Sequence, residues 1–177
     1  FHYLHLVFSA TGVVLMYRRF SSSIWGAVIA GTIIPAVFCT LSDMIFPMAG
    51  GYIIGLNVSW HWCFLQHSGT VMPFLIIGVI NGLVMGSHSS SAQVFSSTGS
   101  HFLHILVSSM ASLLYLVGFG LQDWQHYLAT IFLLLIGAVL VPCTLSDIVV
   151  PMYFARKSKT AIKAQNVQES CCTKKLL

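Results

Sequence analysis

Two pairs of histidines, each followed by an aspartate, recur in the same order along the chain. They are His2 and His5 with Asp43, and His101 and His104 with Asp147. Residues three apart share one face of a helix, so each pair can present both imidazoles to one carboxylate. Imidazole and carboxylate groups together bind metal ions or exchange protons near neutral pH. The sequence therefore predicts two histidine–carboxylate clusters.

The two clusters belong to a longer internal repeat. The pentapeptide Cys-Thr-Leu-Ser-Asp occupies 39–43 and recurs unchanged at 143–147, and a Pro-Met pair follows each copy, at 47–48 and 151–152. An unchanged pentapeptide that follows a repeated His-x-x-His motif in the same order is improbable by chance. We therefore predict an internal two-fold repeat.

The elements that must position these residues are membrane-spanning helices. Hydrophobic residues make up 56% of the chain and charged residues 7%, whereas soluble domains carry about 25% charged residues. A spanning helix needs about 20 mostly apolar residues. The sequence predicts an all-α polytopic membrane protein with about five transmembrane helices, which lie near 2–17, 24–48, 62–86, 101–120 and 127–154.

The distribution of charge orients the predicted helices. Lys and Arg are absent from 20–155 and occur at Arg18, Arg19 and within 156–177. Cytoplasmic loops collect basic residues, so we expect the first loop and the C-terminal tail to be cytoplasmic. Asn57 begins an Asn-Val-Ser sequon, which this topology places outside as a glycosylation site and which favours the plasma membrane or the endomembrane system. The basic residues form no aromatic–basic platform, so nucleic acid is not an expected partner.

The predicted organisation combines the repeat with this topology. It comprises a first repeat half with helices 1–3 at 1–86, a Ser-rich cytoplasmic loop at 87–100, a second half with helices 4 and 5 at 101–155, and a basic cytoplasmic tail at 156–177. The first copy starts outside, and the second starts inside because three crossings precede it. The two copies are therefore predicted to be inverted, a common plan of secondary transporters. If the third region crossed the membrane twice, giving six helices, the copies would be parallel.

Inversion would separate the two clusters between the leaflets. The predicted outer cluster contains His2, His5, His61, His67 and Asp43. The predicted inner cluster contains His88, His101, His104 and Asp147. Buried charge is expensive in hydrocarbon, so these side chains should face a bundle interior, a water-filled cavity or the headgroups.

These features favour a multi-pass transporter or channel-like protein for a small solute or ion, with proton coupling through the histidine–carboxylate pairs. The expected polar path contains Asp43, Asp147, His5, His67, His104, Ser42, Thr40, Ser146 and Thr144. The chain carries neither a His-Glu-x-x-His motif nor a nucleophile elbow, so an enzyme is less favoured.

Two other functions fit the same sequence. One is a non-catalytic subunit or chaperone of a larger membrane complex, since Gly78, Gly82 and Gly86 have the spacing of close helix contacts with a membrane-protein partner or a second copy of the chain. The other is a metal or haem redox protein. Its candidate ligands are His2, His5, His101 and His104.

The cysteines form no Cys-x-x-Cys motif. Cys39 and Cys143 lie in apolar runs, where a reduced, packed thiol is the expected role. Cys171 and Cys172 lie on the basic tail, next to the lipid bilayer, and are candidates for palmitoylation. Serine and threonine can also bond to helix carbonyls or join helices, so helix packing is the alternative interpretation of the repeated pentapeptide.

Overall fold

The computed structural model describes residues 1–56, 68–87, 90–121, 125–158 and 160, with the backbone alone at 68 and 90–97. These described residues form helices and short connections, without strands. The helices are α1 (His2–Phe20), α2 (Ile24–Ile53), α3 (Ser68–Met85), α4 (Ser90–Gly118) and α5 (Leu128–Ser158).

Three helical segments are long and apolar enough to cross a bilayer. They are α2, α5 and the Thr98–Gly118 part of α4, and α3 contains a shorter apolar helix, Gly69–Met85. Large apolar side chains such as Ile33 and Phe132 are exposed on the outside of the bundle, as expected of a lipid-facing surface. The all-α fold is therefore confirmed and a membrane protein is supported, while five crossings stay a prediction.

α1 is the central helix of the bundle and packs against α2, α3 and α4. Ala10, Val13 and Val14 are completely buried there, and so are the polar residues His5 and Ser9. A helix that is surrounded by protein can carry polar residues wherever neighbouring helices satisfy them. This position explains how α1 can be the least apolar of the predicted spanning segments.

Two glycines allow α3 to approach α1 closely. A Cβ atom on Gly78 would lie 2.6 Å from the Val7 carbonyl oxygen, and one on Gly82 would lie 2.7 Å from Val14 Cβ. Thr11 Oγ1 donates to the Gly78 carbonyl at 3.1 Å. The small-residue spacing is thus used for packing within the chain.

The two copies of the repeated motifs lie on antiparallel helices. Along α1 and α4, the His5 ring contacts the His104 ring, whereas Ser100 Oγ, earlier in α4, donates to the carbonyl of Phe8, later in α1. The order of contacts is therefore reversed between the two helices.

α2 and α5 are antiparallel in the same way. Ile24–Thr40 of α2 contacts Val141–Thr144 of α5, and Phe46–Ile53 contacts Leu128–Leu135. The beginning of each helix thus lies beside the end of the other.

Several helix ends differ from their predicted positions, including the C-terminal ends of α1 and α2. α1 continues through Arg18 and Arg19 to Phe20, because basic side chains at a helix C-terminus complement its dipole and extend outward. α2 continues to Ile53 instead of ending at 48, since the residues that follow are still mostly apolar.

The loop predicted at 87–100 is helical over most of its length. α4 begins at Ser90 instead of 101. Serine is a weak helix former, but tertiary packing overrides such propensities. Ser100, for example, is buried against α1 with its hydroxyl bonded to Phe8 O at 2.9 Å.

Candidate functional site

Asp43 accepts three hydrogen bonds in the interior of the bundle. His2 Nδ1 and His5 Nδ1 lie 2.8 Å and 2.6 Å from Asp43 Oδ2, and Ser108 Oγ donates to Oδ1 at 2.9 Å. An ionised carboxylate only accepts, so each Nδ1 atom supplies the proton. Asp43 is 3% exposed, and these bonds replace the water it has lost.

Asp147 has the same set of partners, taken from equivalent positions. His101 Nδ1 and His104 Nδ1 lie 3.1 Å and 2.5 Å from Asp147 Oδ2, and Ser9 Oγ donates to Oδ1 at 3.3 Å. Asp147 is 2% exposed. Each aspartate is therefore bound by two histidines on one oxygen and one serine on the other.

The serine that completes each carboxylate site comes from the opposite copy of the repeat. Ser9 lies on α1 with the histidines that bind Asp43, yet it donates to Asp147. Ser108 lies on α4 with the histidines that bind Asp147, yet it donates to Asp43. Each of these two helices therefore contributes to both carboxylate sites.

The two clusters form one continuous site. The rings of His5 and His104 have centroids 4.3 Å apart, and Ser42 Oγ lies 2.8 Å from Ser108 Oγ. The sequence interpretation, which assigned one cluster to each leaflet, did not predict that the two clusters adjoin. It placed Asp43 near the outer end of a helix that was predicted to end at 48, whereas α2 continues beyond this position.

Both aspartates lie in π-helical turns, Leu41–Ile45 and Leu145–Val149. Pro47 follows Asp43 by four residues, and Pro151 follows Asp147 by the same number. A proline ring clashes with the carbonyl four residues earlier in an α-helix. A wider π turn relieves this clash, and such turns are frequent at functional sites. The repeated Pro-Met pair thus accounts for the local backbone at each aspartate.

The repeated cysteines lie where the two clusters meet. Cys143 Sγ is 3.8 Å from His5 Nε2 and 3.7 Å from Ser42 Oγ. One ligand atom from each of Cys39, His5 and His104 lies within 4.8 Å of the other two. Cys39 and Cys143 are free and buried, as expected of reduced, packed thiols, and the structure adds their proximity to the histidines.

The four histidines divide into an inner and an outer pair. His5 and His104 are buried and face each other, whereas the side chains of His2 and His101 are 20% and 22% exposed. Among the described residues, the ion-pair partners of both aspartates are these histidines. A buried carboxylate is tolerated only when its charge is paired and hydrogen-bonded.

A cavity of about 370 Å³ reaches Asp43 beside His2, and Ala111 lines its α4 side. This volume is at the lower end of the range for small-molecule pockets, about 300–1,000 Å³. At the other carboxylate the α1 backbone lies close by, since a Cβ on Gly12 would lie 3.1 Å from Asp147 Oδ2. The cavity therefore gives a small ligand a route to one of the two carboxylates.

The structure assigns the remaining predicted path residues to different environments. Ser42 and Ser146 are buried within the clusters. Thr40 and Thr144 instead donate to the carbonyls of their own helices, at 2.7 Å and 2.6 Å, which agrees with the packing interpretation of these two residues. Several predicted residues lie outside the described part of the chain: His61, His67, His88, Asn57, Cys171 and Cys172.

Ser9 and Ser108 are the site residues that the sequence interpretation missed. Both follow the second histidine of their pair by four residues, so the repeat is His-x-x-His-x-x-x-Ser rather than His-x-x-His alone. Comparisons with protein families, curated proteins and solved structures found no match to this chain.

Proposed function

We propose that this protein is a multi-pass membrane transporter or channel-like protein that moves a small solute or ion. The observation that carries the proposal is the single buried site in which the Asp43 and Asp147 clusters meet. Ionisable residues inside a membrane helix bundle are expensive, and they commonly mark the path of a transported species.

An inverted repeat is part of the proposal, and the antiparallel packing supports it. The helices that carry the histidine pairs, α1 and α4, run in opposite directions, and so do α2 and α5, which carry the aspartates. In inverted-repeat transporters, the substrate binds at the repeat interface near the middle of the membrane. The contact between His5 and His104 occupies the corresponding position between the two copies.

The cavity beside Asp43 supports a mechanism of access from one side at a time. A solute would enter past His2 and reach Asp43, and the close approach of Gly12 to Asp147 would help to close the other side. In the opposite state, a cavity would open at Asp147, and the equivalent close contact would form at Asp43. Rocking of one repeat against the other is the usual form of such a change.

The proposed topology places the basic ends of α1 and α5 in the cytoplasm of a cell with a secretory pathway, at the plasma membrane or an endomembrane. The Arg156 guanidinium lies 5.3 Å from the Phe20 ring centre, so these two helix ends are neighbours. A shared basic side is what the preference for cytoplasmic Lys and Arg predicts. In this topology Asn57 is glycosylated outside, and Cys171 and Cys172 are available for palmitoylation.

Flux into proteoliposomes tests the proposal. Purified protein is reconstituted, and uptake is measured for a panel of monovalent and divalent ions and small neutral solutes, with and without an imposed pH gradient. We expect uptake of at least one solute, at least a tenfold loss in Asp43→Asn and in Asp147→Asn, and, with proton coupling, a response to the gradient. Asp123→Asn is the matched control, because the sequence places this carboxylate in an outer loop.

The result that would reject transport is wild-type protein that moves no solute while both aspartate variants fold and remain stable. A membrane-protein partner recovered in stoichiometric amount with the wild type, and equally with both variants, would then favour the accessory-subunit alternative.

The repeated cysteines favour a second candidate, a metal-dependent redox protein of the membrane. His5, His104 and Cys39 bring nitrogen and sulfur donors together in the interior. A haem between the two histidines does not fit, because their rings are in contact, with centroids 4.3 Å apart. Redox activity would appear as a reversible change in the optical or paramagnetic spectrum of the metal-loaded protein.

A further inference from the structure

The inner histidines present their second nitrogen atoms to the repeated cysteines. His5 and His104 use Nδ1 to bind Asp43 and Asp147, which leaves Nε2 of each ring at the junction of the clusters. His5 Nε2 lies 3.8 Å from Cys143 Sγ. These groups come from four different helices, α1, α2, α4 and α5. Three of them, His5, His104 and Cys39, lie within 4.8 Å of one another, and Cys143 is next to His5.

His104 Nε2 is the one buried side-chain nitrogen or oxygen in the described part of the chain that has no hydrogen-bond partner. His104 is 1% exposed, so water does not satisfy this atom at the surface. Unpaired buried polar atoms are rare in native proteins and require a reason. A ligand that accepts a nitrogen lone pair would supply that reason here.

We propose that His5, His104, Cys39 and Cys143 bind one four-coordinate transition-metal ion of the Zn²⁺ class. Tetrahedral zinc sites are built from this set of two histidines and two cysteines. With Zn–N of about 2.0 Å and Zn–S of about 2.3 Å, neighbouring ligand atoms lie about 3.3–3.8 Å apart. The ligand atoms of His5, His104 and Cys39 lie within 4.8 Å of each other, and Cys143 Sγ lies 3.8 Å from His5 Nε2, so side-chain rotations on binding would bring the four ligands to these distances.

The two aspartates have the positions of outer-shell groups for such a metal. A histidine that binds a metal usually donates its other N–H to a carboxylate, which fixes the orientation of the ring. His5 and His104 both do so, to Asp43 and Asp147. Metal ligation thus gives a role to both nitrogen atoms of each inner histidine.

The charges of the metal ion and its two thiolates also balance. Cysteine binds a metal as thiolate, so binding forms two metal–sulfur bonds and releases the two thiol protons to water. The two thiolates offset the two positive charges of the ion. The carboxylates keep the partly exposed His2 and His101 as hydrogen-bonded partners. The low dielectric of the interior favours a site of this kind over an unbalanced charge.

The same geometry distinguishes these ligands from the histidine pairs that the sequence suggested. Within each pair, both Nδ1 atoms point at one carboxylate oxygen, and the outer histidine is partly exposed. The metal ligands are therefore one histidine from each pair. The inference goes beyond the proposed function, because the same site would bind the ion whether it is a transported cargo or a resident cofactor.

Metal content and cobalt spectroscopy test the site. The full chain is purified in mild detergent under reducing conditions, loaded with Zn²⁺ or Co²⁺ and desalted. We expect one ion per chain, and with Co²⁺ the intense visible and near-ultraviolet bands of a tetrahedral thiolate site. The double variant Cys39→Ser/Cys143→Ser should lose these bands. Asp43→Asn should retain them with an affinity about 10–100-fold lower, as expected of an outer-shell group.

Two matched controls accompany these variants. His126→Gln removes an exposed imidazole, and Cys171→Ser/Cys172→Ser removes two thiols of the basic tail. Both should bind the metal as the wild type does. A wild type that binds no ion would overturn the inference, and so would a cobalt spectrum that persists without Cys39 and Cys143.

Protection of the native thiols tests the site without any variant that has to fold. Alkylation of the wild type, followed by mass spectrometry, should show at least a tenfold slower modification of Cys39 and Cys143 when Zn²⁺ is bound. Equal modification with and without Zn²⁺ would contradict the inference. Metal binding without solute flux would reject the transport proposal and support the metal site. Solute flux without metal binding would support transport and reject the metal site.

Discussion

At the scale of single residues, Ser108 connects the two copies most directly. Its hydroxyl lies 2.9 Å from Asp43 Oδ1 and 2.8 Å from Ser42 Oγ. Ser108→Ala would leave the charged oxygen without this donor. Hydrogen bonds to charged groups contribute about 1.5–3 kcal/mol, so we expect the free energy of unfolding in detergent to fall by roughly this amount. Denaturant or thermal unfolding measures it.

The neighbouring residue provides the control for this substitution. Ser109 Oγ donates to the Ile105 carbonyl of its own helix at 2.8 Å, and that carbonyl also belongs to the helical backbone ladder. Ser109→Ala should change stability by less than about 0.5 kcal/mol, as most substitutions away from special contacts do. Equal losses in the two variants would show that the bond to Asp43 contributes nothing specific.

The sequence indicated the aspartates and the histidine pairs because identical residue types recur in the same order. The sequence did not indicate Ser9 and Ser108, because serine is common in this chain and the partner of each lies on a helix from the other copy. The cysteines were interpreted as apolar packing residues, since a thiol in an apolar run has that role in most proteins. Their contact with His5 and His104 depends on how four helices meet, which no single motif encodes.

At the scale of helices, Gly78 tests the contact between α1 and α3. A methyl group at this position would lie 2.6 Å from a backbone oxygen of α1, which cannot move without shifting the helix. Gly78→Ala should therefore reduce the free energy of unfolding by about 1–3 kcal/mol, the usual penalty of overpacking. The measurement is the same unfolding assay in detergent.

Gly69 is the matched control in the same helix. A Cβ atom there meets no atom of the described residues within 4 Å, and alanine is a better helix former than glycine by up to about 1 kcal/mol. Gly69→Ala should therefore be neutral or slightly stabilising. A loss in this variant as large as that in Gly78→Ala would mean that the close approach of α3 to α1 is not the cause.

The helices themselves followed from the apolar runs, but several of their ends did not. A run of apolar residues locates a helix without fixing where it stops, and this error placed Asp43 too close to the end of its helix. The π turns were not predicted either. Pro47 and Pro151 indicated a distortion, yet whether a helix kinks, breaks or widens at a proline depends on the helices packed around it.

At the scale of the whole molecule, the proximity of Phe20 and Arg156 makes the topology testable. If the basic ends of α1 and α5 are cytoplasmic, Asn57 is on the opposite side. Expression in a glycosylating host should give a band that glycosidase shifts, and Asn57→Gln should abolish the shift. Protease added to intact cells should leave an epitope on the C-terminal tail uncut. Cleavage of that epitope would reverse the proposed orientation.

The membrane class was evident from composition, because a chain with 7% charged residues cannot cover a water-facing surface with polar groups. The joining of the two clusters was not evident. Sequence gives the order of helices and an approximate register along each, but the tilt and crossing of antiparallel helices decide which residues meet. Here α1 and α4 cross so that each reaches both aspartates.

This exchange of serines between copies has a consequence for the autonomy of each half. A fragment containing only α1 to α3, or only α4 and α5, would hold an aspartate and its histidines but lack the hydroxyl that completes the carboxylate's bonding. Two such fragments produced together should therefore complement each other.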